Sequence, residues 1–408
     1  IFHTSFALDK DGEAVFLTRP DGQPADSLAS VSIPRDVSYG RQPDGSANLV
    51  FFYQPTPGAP NATPGASEFL GPPLFSTAAG FYTAPVSLTL MTTNVGAEVR
   101  YTLDGSEPTA NSPRFAAPLA LGSRQGVPND ISIIPTAGGW QPPLGEVKKI
   151  HVVRARAFRG DALPSPTVTR TYCVDPRGRN RYSLPVVSLA TDRANFFDAN
   201  IGLYVCGNTP GCNYAQAGDA WERPVHVEFF ETNGALAFAQ ESGVRMHGNT
   251  SFGFPIKALR LHPLNQKGGE PFRYKIFPDL PITEFDRLLL RPSGHDHYLT
   301  MMRDGLMQNL ARELGLDMQG YRPAIVFLNG EYWGIHNLQE AFEKNYFANH
   351  HPEVDADALD YLEGYAPGAF AYEGDSRQFD ALITFMQTNS LSQATNMAFV
   401  ESLMDVDN

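Results

Sequence analysis

The sequence predicts a multidomain, β-rich chain: two all-β sandwiches followed by an α+β unit. Three observations carry this. The chain has 408 residues, more than one typical domain holds. Its 36 Gly and 33 Pro demand many turns. Near Leu184 the hydrophobic pattern changes, from short alternating runs to longer apolar runs joined by segments of helical period.

Residues 1–61 hold alternating runs, EAVFLT and NLVFFY, separated by DG and PDG turns, and read as a small or partial β-sandwich. Residues 62–75 are rich in Pro, Gly and Ala and read as a linker. Residues 76–173 read as a second all-β unit. There AEVRYT runs into a DG turn and a Pro stop, and VRARAF alternates small apolar and charged residues like a half-exposed strand. The segment 122–147 stands out as an inserted loop. Phe81, Tyr82 and Trp140 have two readings, packing residues or platforms for sugar rings. Residues 174–184 read as a second linker.

From 185 to 408, PVVSLA, PVHVEFFE, ALRLHP and FDRLLLRP are strands of a mostly antiparallel sheet. LTMMRDGLMQNLARELG is a helix with Leu299, Met302, Leu306 and Leu310 on one face, ended by Gly315. PAIVFL and EYWGIHNL form a hairpin across Asn329 and Gly330, the pair that suits a type I′ turn. QEAFEKNYFANHH, SRQFDALITFMQTN and SQATNMAFVESLM complete the unit as helices.

The net charge of −13 argues against a nucleic-acid partner, and no apolar run reaches membrane-spanning length. Cys206 and Cys212 bracket a short turn-rich loop, which suits a disulfide in an exported protein and leaves Cys173 single. The chain opens mid-pattern at Ile1 and stops at Asn408 after MDVDN, and so reads as a fragment.

Familiar catalytic signatures are missing. The chain has no P-loop, dinucleotide fingerprint, HRD, DFG, nucleophile elbow or HExxH motif. His295, Asp296 and His297, with His247 elsewhere, have the residue types of a zinc site but lack a fourth ligand; a polar loop is the competing reading. Glu222, Glu228 and Glu231 are either solvated strand residues or glycosidase-like carboxylates. GNTSFGFPIKALRL is the stronger constellation. A Gly-containing turn precedes a single Lys257 at the start of a strand, a part that phosphoryl transfer uses, and Asp304 on the next helix is a candidate to hold that lysine.

The stretch from Gly243 to Glu340, with His247, Gly248, Ser251, Pro255, Lys257 and Leu259 and then LRPSGHDH, MRDGL, VFLNGEYWGIHNLQE and LEGY, resembles the spore-coat CotH family of atypical protein kinases. The resemblance covers residues 185–408. It implies an atypical kinase-like fold, ATP, Mg²⁺ or Mn²⁺, and transfer of phosphate to protein Ser or Thr. It makes Lys257 and Asp304 catalytic, and Arg245, Ser251, Lys257 and Glu340 nucleotide contacts. Two departures stand. Phe252 occupies a position where the family has Arg. The family's metal-binding aspartates do not occur before Asn408, so the domain reads as truncated, without metal ligands and inactive as it stands.

RYTLDGSEPT and VRARAF resemble the C-terminal domain of chitobiase and β-hexosaminidase, a fibronectin-like sandwich. DGEAVFLTRPDGQPADSL with SYGRQPDG and PTPGAPN resembles part of a lamin-tail domain, an immunoglobulin-like sandwich. The expectation is an exported bacterial or cell-surface CotH-like kinase with a protein substrate and a further carbohydrate or cell-surface partner. The alternatives are a non-catalytic surface scaffold and a metal-dependent hydrolase.

Overall fold

A computed structural model describes residues 8–9, 12–33, 37–264, 269–364 and 370–406. Tyr365 of the LEGY motif and the last two residues lie outside these. The described chain is mostly β and divides into two compact units. The first comprises residues 1–78, 86–121 and 153–170; the second comprises 79–85, 122–152 and 171–408.

In the first unit, antiparallel pairs join Val15–Thr18 to Pro24–Leu28, Ser38–Arg41 to Leu49–Phe52, and Val86–Leu88 to Leu119–Leu121. Glu98–Thr102 pairs with residues 154–158. Within the stretch read as a linker, Leu70 is fully buried beside Ala157 and Ala162. VRARAF departs from a half-exposed strand. Arg154 is buried and donates to Gly105 O at 2.9 Å and to Thr169 Oγ1 at 3.2 Å, with Glu107 2.6 Å from its guanidinium. Burying that cation is tolerable because it is paired and hydrogen-bonded.

The second unit is built on a closed barrel of seven strands: β1 (Val186–Ala190), β2 (Arg223–Phe230), β3 (Leu236–His247), β4 (Ala258–Pro263), β5 (Leu288–Arg291), β6 (Tyr321–Leu328) and β7 (Glu331–Glu340). The strand order is β1-β2-β3-β4-β5-β7-β6, and a parallel β6–β1 pairing closes it. The remaining pairs are antiparallel. The side-chain period of two then sorts each strand. Val187, Leu189, Val244, Leu259, Leu261, Leu288, Leu290, Val326 and Leu338 fill one shared core. The β6–β7 turn is made by Asn329 and Gly330, both at positive φ, as the NG pair requires.

Four helices fall close to expectation, α2 (Arg303–Ala311), α3 (Lys344–His350), α4 (Arg377–Thr388) and α5 (Ala394–Glu401), whereas the short α1 (Arg193–Phe197) and a hairpin of β8 (Tyr361–Glu363) and β9 (Phe370–Glu373) before α4 were not expected. Gly315, in the left-handed region, ends the turn that follows α2. The apolar face expected of α2 is not buried: Leu299, Met302, Leu306 and Leu310 are 47–64% exposed. The helix meets the barrel through Gly305 instead, where a Cβ would lie 2.4 Å from the Tyr321 ring. Cys206 and Cys212 form a disulfide with a Cα separation of 4.1 Å, and Cys173 is a free buried thiol pushed up to about 12 by burial.

The segment 122–147 folds with the barrel unit. Ile131 joins the barrel core. Glu331, beside the hairpin turn, accepts the backbone N–H groups of Asp130 at 2.8 Å and Ser132 at 2.9 Å.

Candidate functional site

The alternation that buries Leu259, Leu261, Leu288 and Leu290 turns Arg260, Leu289 and Arg291 to the outer face of the barrel. Together with His247 at the end of β3 and Arg287 just before β5, they line a cavity of about 230 Å³. Phe342 and the β8–β9 residues Tyr361 and Tyr372 supply aromatic walls. Three guanidiniums therefore meet in one concave site.

Their partners define its electrostatics. Arg260 donates to Tyr372 Oη at 2.9 Å, while its buried Nε has no acceptor among the described residues. Arg291 donates to Asp304 Oδ2 at 2.8 Å and to Gln339 Oε1 at 3.0 Å. Arg287 lies 3.7 Å from Glu343 and 3.9 Å from Glu373. Burial, then the nearby Arg260 and Arg291 charges, push the His247 imidazole down to about 4, so it is neutral at pH 7. Burial raises Glu343 to about 7 against the opposing pull of Arg287. Glu363 also lines the cavity, so carboxylates already face these arginines; the Arg260 Nε, without an acceptor among the described residues, is the position left for an added acceptor.

Asp304 and Glu340 belong to one polar network beside this cavity. Gln339 donates to Asp304 Oδ2 at 2.7 Å, and Gln308 bridges Asp304 to Gln319. Gln319 donates to the Glu340 carbonyl, and the Gly320 N–H donates to the Glu340 carboxylate at 2.7 Å. His350 lies 3.1 Å from that carboxylate.

Lys257 stands elsewhere. It is fully buried, and its ammonium donates to the carbonyls of Phe252 at 2.6 Å and Phe254 at 2.7 Å, over the Tyr214 ring at 4.2 Å. Its backbone N–H donates to Tyr204 Oη, which donates in turn to the Lys257 carbonyl. Desolvation lowers the amine to about 7. The expected pairing of Lys257 with Asp304 is not formed. The reason is parity: Lys257 shares the inward sense of Leu259 and Leu261, whereas the cavity lies outside with Arg260. Among the described residues, no carboxylate contacts the Lys257 ammonium.

The other expected contacts also lie outside the cavity lining. Arg245 is buried against Asp219 at 2.6 Å and Glu222 at 2.7 Å, so its charge is already met. Ser251 sits in the short turn Thr250–Gly253, close to Gly248. The HDH triplet makes local contacts. Asp296 accepts from the Thr300 hydroxyl and from the N–H of Arg303 at 3.1 Å, bonds that hold its carboxyl down to about 2, Thr300 first. His297 Nδ1 lies 2.9 Å from Gly294 O. Among the described residues, no group of three or more His, Cys, Asp or Glu could hold a metal ion.

The cavity arginines were missed by sequence reading, although the signal was present. In ALRL and DRLLLR the charged residues fall at the alternate positions of strands whose leucines go inward.

Residues 244–408 match the family model described as CotH kinase protein, and residues 77–128 match the chitobiase/beta-hexosaminidase C-terminal domain. The chain thus carries a CotH kinase domain preceded by a chitobiase/hexosaminidase C-terminal domain. Every residue lining the arginine cavity falls within the first match. No curated protein matches the chain.

Proposed function

We propose that the barrel unit is the ATP-binding part of a kinase that transfers the terminal phosphoryl group to Ser or Thr of a protein, with the arginine cavity receiving the phosphates. The observation that carries this is the convergence of Arg260, Arg287 and Arg291 with an unmatched buried Arg260 Nε. Guanidiniums bind phosphate oxygens by paired, charge-assisted hydrogen bonds. Phosphoryl transfer asks little of a protein beyond positioning and charge stabilisation. Phe342, Tyr361 and Tyr372 offer faces to a nucleobase. Asp304 and Gln339 position Arg291, and Lys257 fixes the loop ahead of β4.

A divalent ion, Mg²⁺ or Mn²⁺, would offset phosphate charge. The described residues do not supply its ligand set, so no step is assigned to it. Export to an oxidising compartment or the cell surface is part of the proposal, and the Cys206–Cys212 bond supports it. No described helix is long and apolar enough to cross a membrane. Residues 1–61, and 76–173 without the stretches 79–85, 122–152 and 171–173 that belong to the barrel unit, are read as accessory lamin-tail-like and chitobiase-like sandwiches.

One observation favours a non-catalytic scaffold instead: Arg287, Arg291 and Arg260 already have partners in Glu343 and Glu373, Asp304, and Tyr372. Titration of the protein with a fluorescent ATP analogue separates the two. Saturable binding that the Arg260→Ala/Arg291→Ala double variant loses supports the kinase reading. Absence of binding by the wild type leaves the scaffold.

A further inference from the structure

A second cavity, of about 330 Å³, lies within the barrel unit between the segment 131–147 and the barrel itself. Its walls include Trp140, Pro143, Pro255, Ile256, Tyr332 and Trp333. None of its eleven lining residues is Lys, Arg, His, Asp or Glu, in a chain of net charge −13. The cavity shares no residue with the arginine site.

Its walls are fixed. Glu331 holds Asp130 and Ser132 by their N–H groups, and Thr136 Oγ1 donates to Pro255 O at 2.6 Å. The Tyr332 N–H donates to Lys148 O at 2.8 Å. Gly334, at φ +102° inside β7, adds to the lining where any Cβ would meet Ile256 at 3.2 Å. A glycine within a strand marks close approach by another group. A pre-formed, mainly apolar cavity with few polar groups is the usual form of a ligand site.

We infer that this cavity is a docking site for an uncharged, proline-bearing segment of a partner protein. Charge complementarity makes the first selection: walls without ionisable cations or anions disfavour a charged occupant, which would lose hydration without a partner. Ring geometry makes the second. The half-buried Trp140, with Pro143 and Pro255 beside it, offers a ring face for the pyrrolidine rings of an extended proline segment, a recognition mode that binds a backbone already ordered. Trp333 packs on Phe197 and Tyr204 and forms the floor. Polar content makes the third. Thr136 Oγ1 is already engaged, leaving Ser132 and Gln141 as the other polar side chains apart from the aromatic edges. That is too few for the hydroxyls of a sugar, but suits the sparse carbonyls of a proline run.

The test uses the 408-residue protein and a hexaproline peptide capped at both ends. Two of the three tryptophans, Trp140 and Trp333, line the cavity, so their fluorescence reports occupancy. The expected result is a saturable fluorescence change, weakened at least about tenfold by Trp140→Ala, the loss expected when a central aromatic contact goes. Val147→Phe, which fills the cavity, should weaken binding as well. ATP-analogue binding should be unchanged in both variants, which separates this inference from the kinase reading. A response to chitohexaose with none to the peptide, or no response to either, overturns it, as does peptide binding that both variants retain.

Discussion

Arg291 and Asp304 meet at 2.8 Å across the outer face of the barrel, with Gln339 hydrogen-bonded to both. This triad fixes one of the three guanidiniums of the cavity. Both charged partners are about a third exposed, so the ion pair adds little to folding stability, below about 1 kcal/mol. Its effect lies in aim.

Asp304→Asn should therefore lower the melting temperature only slightly while weakening ATP-analogue binding. Arg291→Ala should weaken binding by at least about tenfold, the loss of one charge-assisted contact. Fluorescence titration beside a thermal melt measures both. Equal affinity in wild type and Arg291→Ala would remove this cavity as the phosphate site.

His247 predicts an acid dependence. Its folded value, about 4, lies below the ordinary 6.5, so the unfolded chain binds the proton first as pH falls. Stability is complete above about 6.5 and declines as pH drops towards 4. His336, likewise pushed down to about 4 by burial, acts in the same window, so His247→Gln should reduce the slope without removing it in urea melts at stepped pH. A wild-type curve that is level over this window would refute the assignment.

Lys257→Ala should cost roughly 2–5 kcal/mol, from lost buried volume and from two carbonyls left without their donor. At a temperature where the variant is folded, it should retain ATP-analogue binding within about threefold. Loss of binding in a folded variant would restore the phosphate-contacting role expected from the sequence. The pH profile is a second check. The lowered amine means stability rises with pH between about 7 and 10.5, and Lys257→Met should abolish that slope.

Cys206→Ser opens a loop of sequence separation six. The loop-entropy estimate for so short a ring is about 2 kcal/mol. Denaturant melts of wild type and variant, both without reductant, read the difference. Equal midpoints would show that the bond does not support the native fold.

What the sequence disclosed follows from the range over which each signal acts. The NG hairpin, the Gly315 stop and the inward leucines of β4 and β5 are local patterns, and each occurs where expected. The expected Lys257–Asp304 pairing fails by one step of strand parity, which leaves Lys257 buried and Arg260 on the outer face with the cavity. The α2 face was misjudged because helical period does not say which side docks; Gly305 allowed the close approach. Barrel closure pairs Val186 with Ile325, and the hold on Ser132 comes from Glu331, both too distant in sequence for any local pattern.

Glu331 limits how this chain can be recombined. The residues it grips, 130 and 132, arrive well before the segment that matches the kinase family, yet Ile131 between them sits in the barrel core. A protein begun at residue 185 would open that core to solvent and leave a buried carboxylate without its donors. Such a truncation would be poorly folded whatever its catalytic residues, so inactivity in it would carry no information about chemistry. Exchange of modules between relatives would have to carry residues 122–152 along with the barrel.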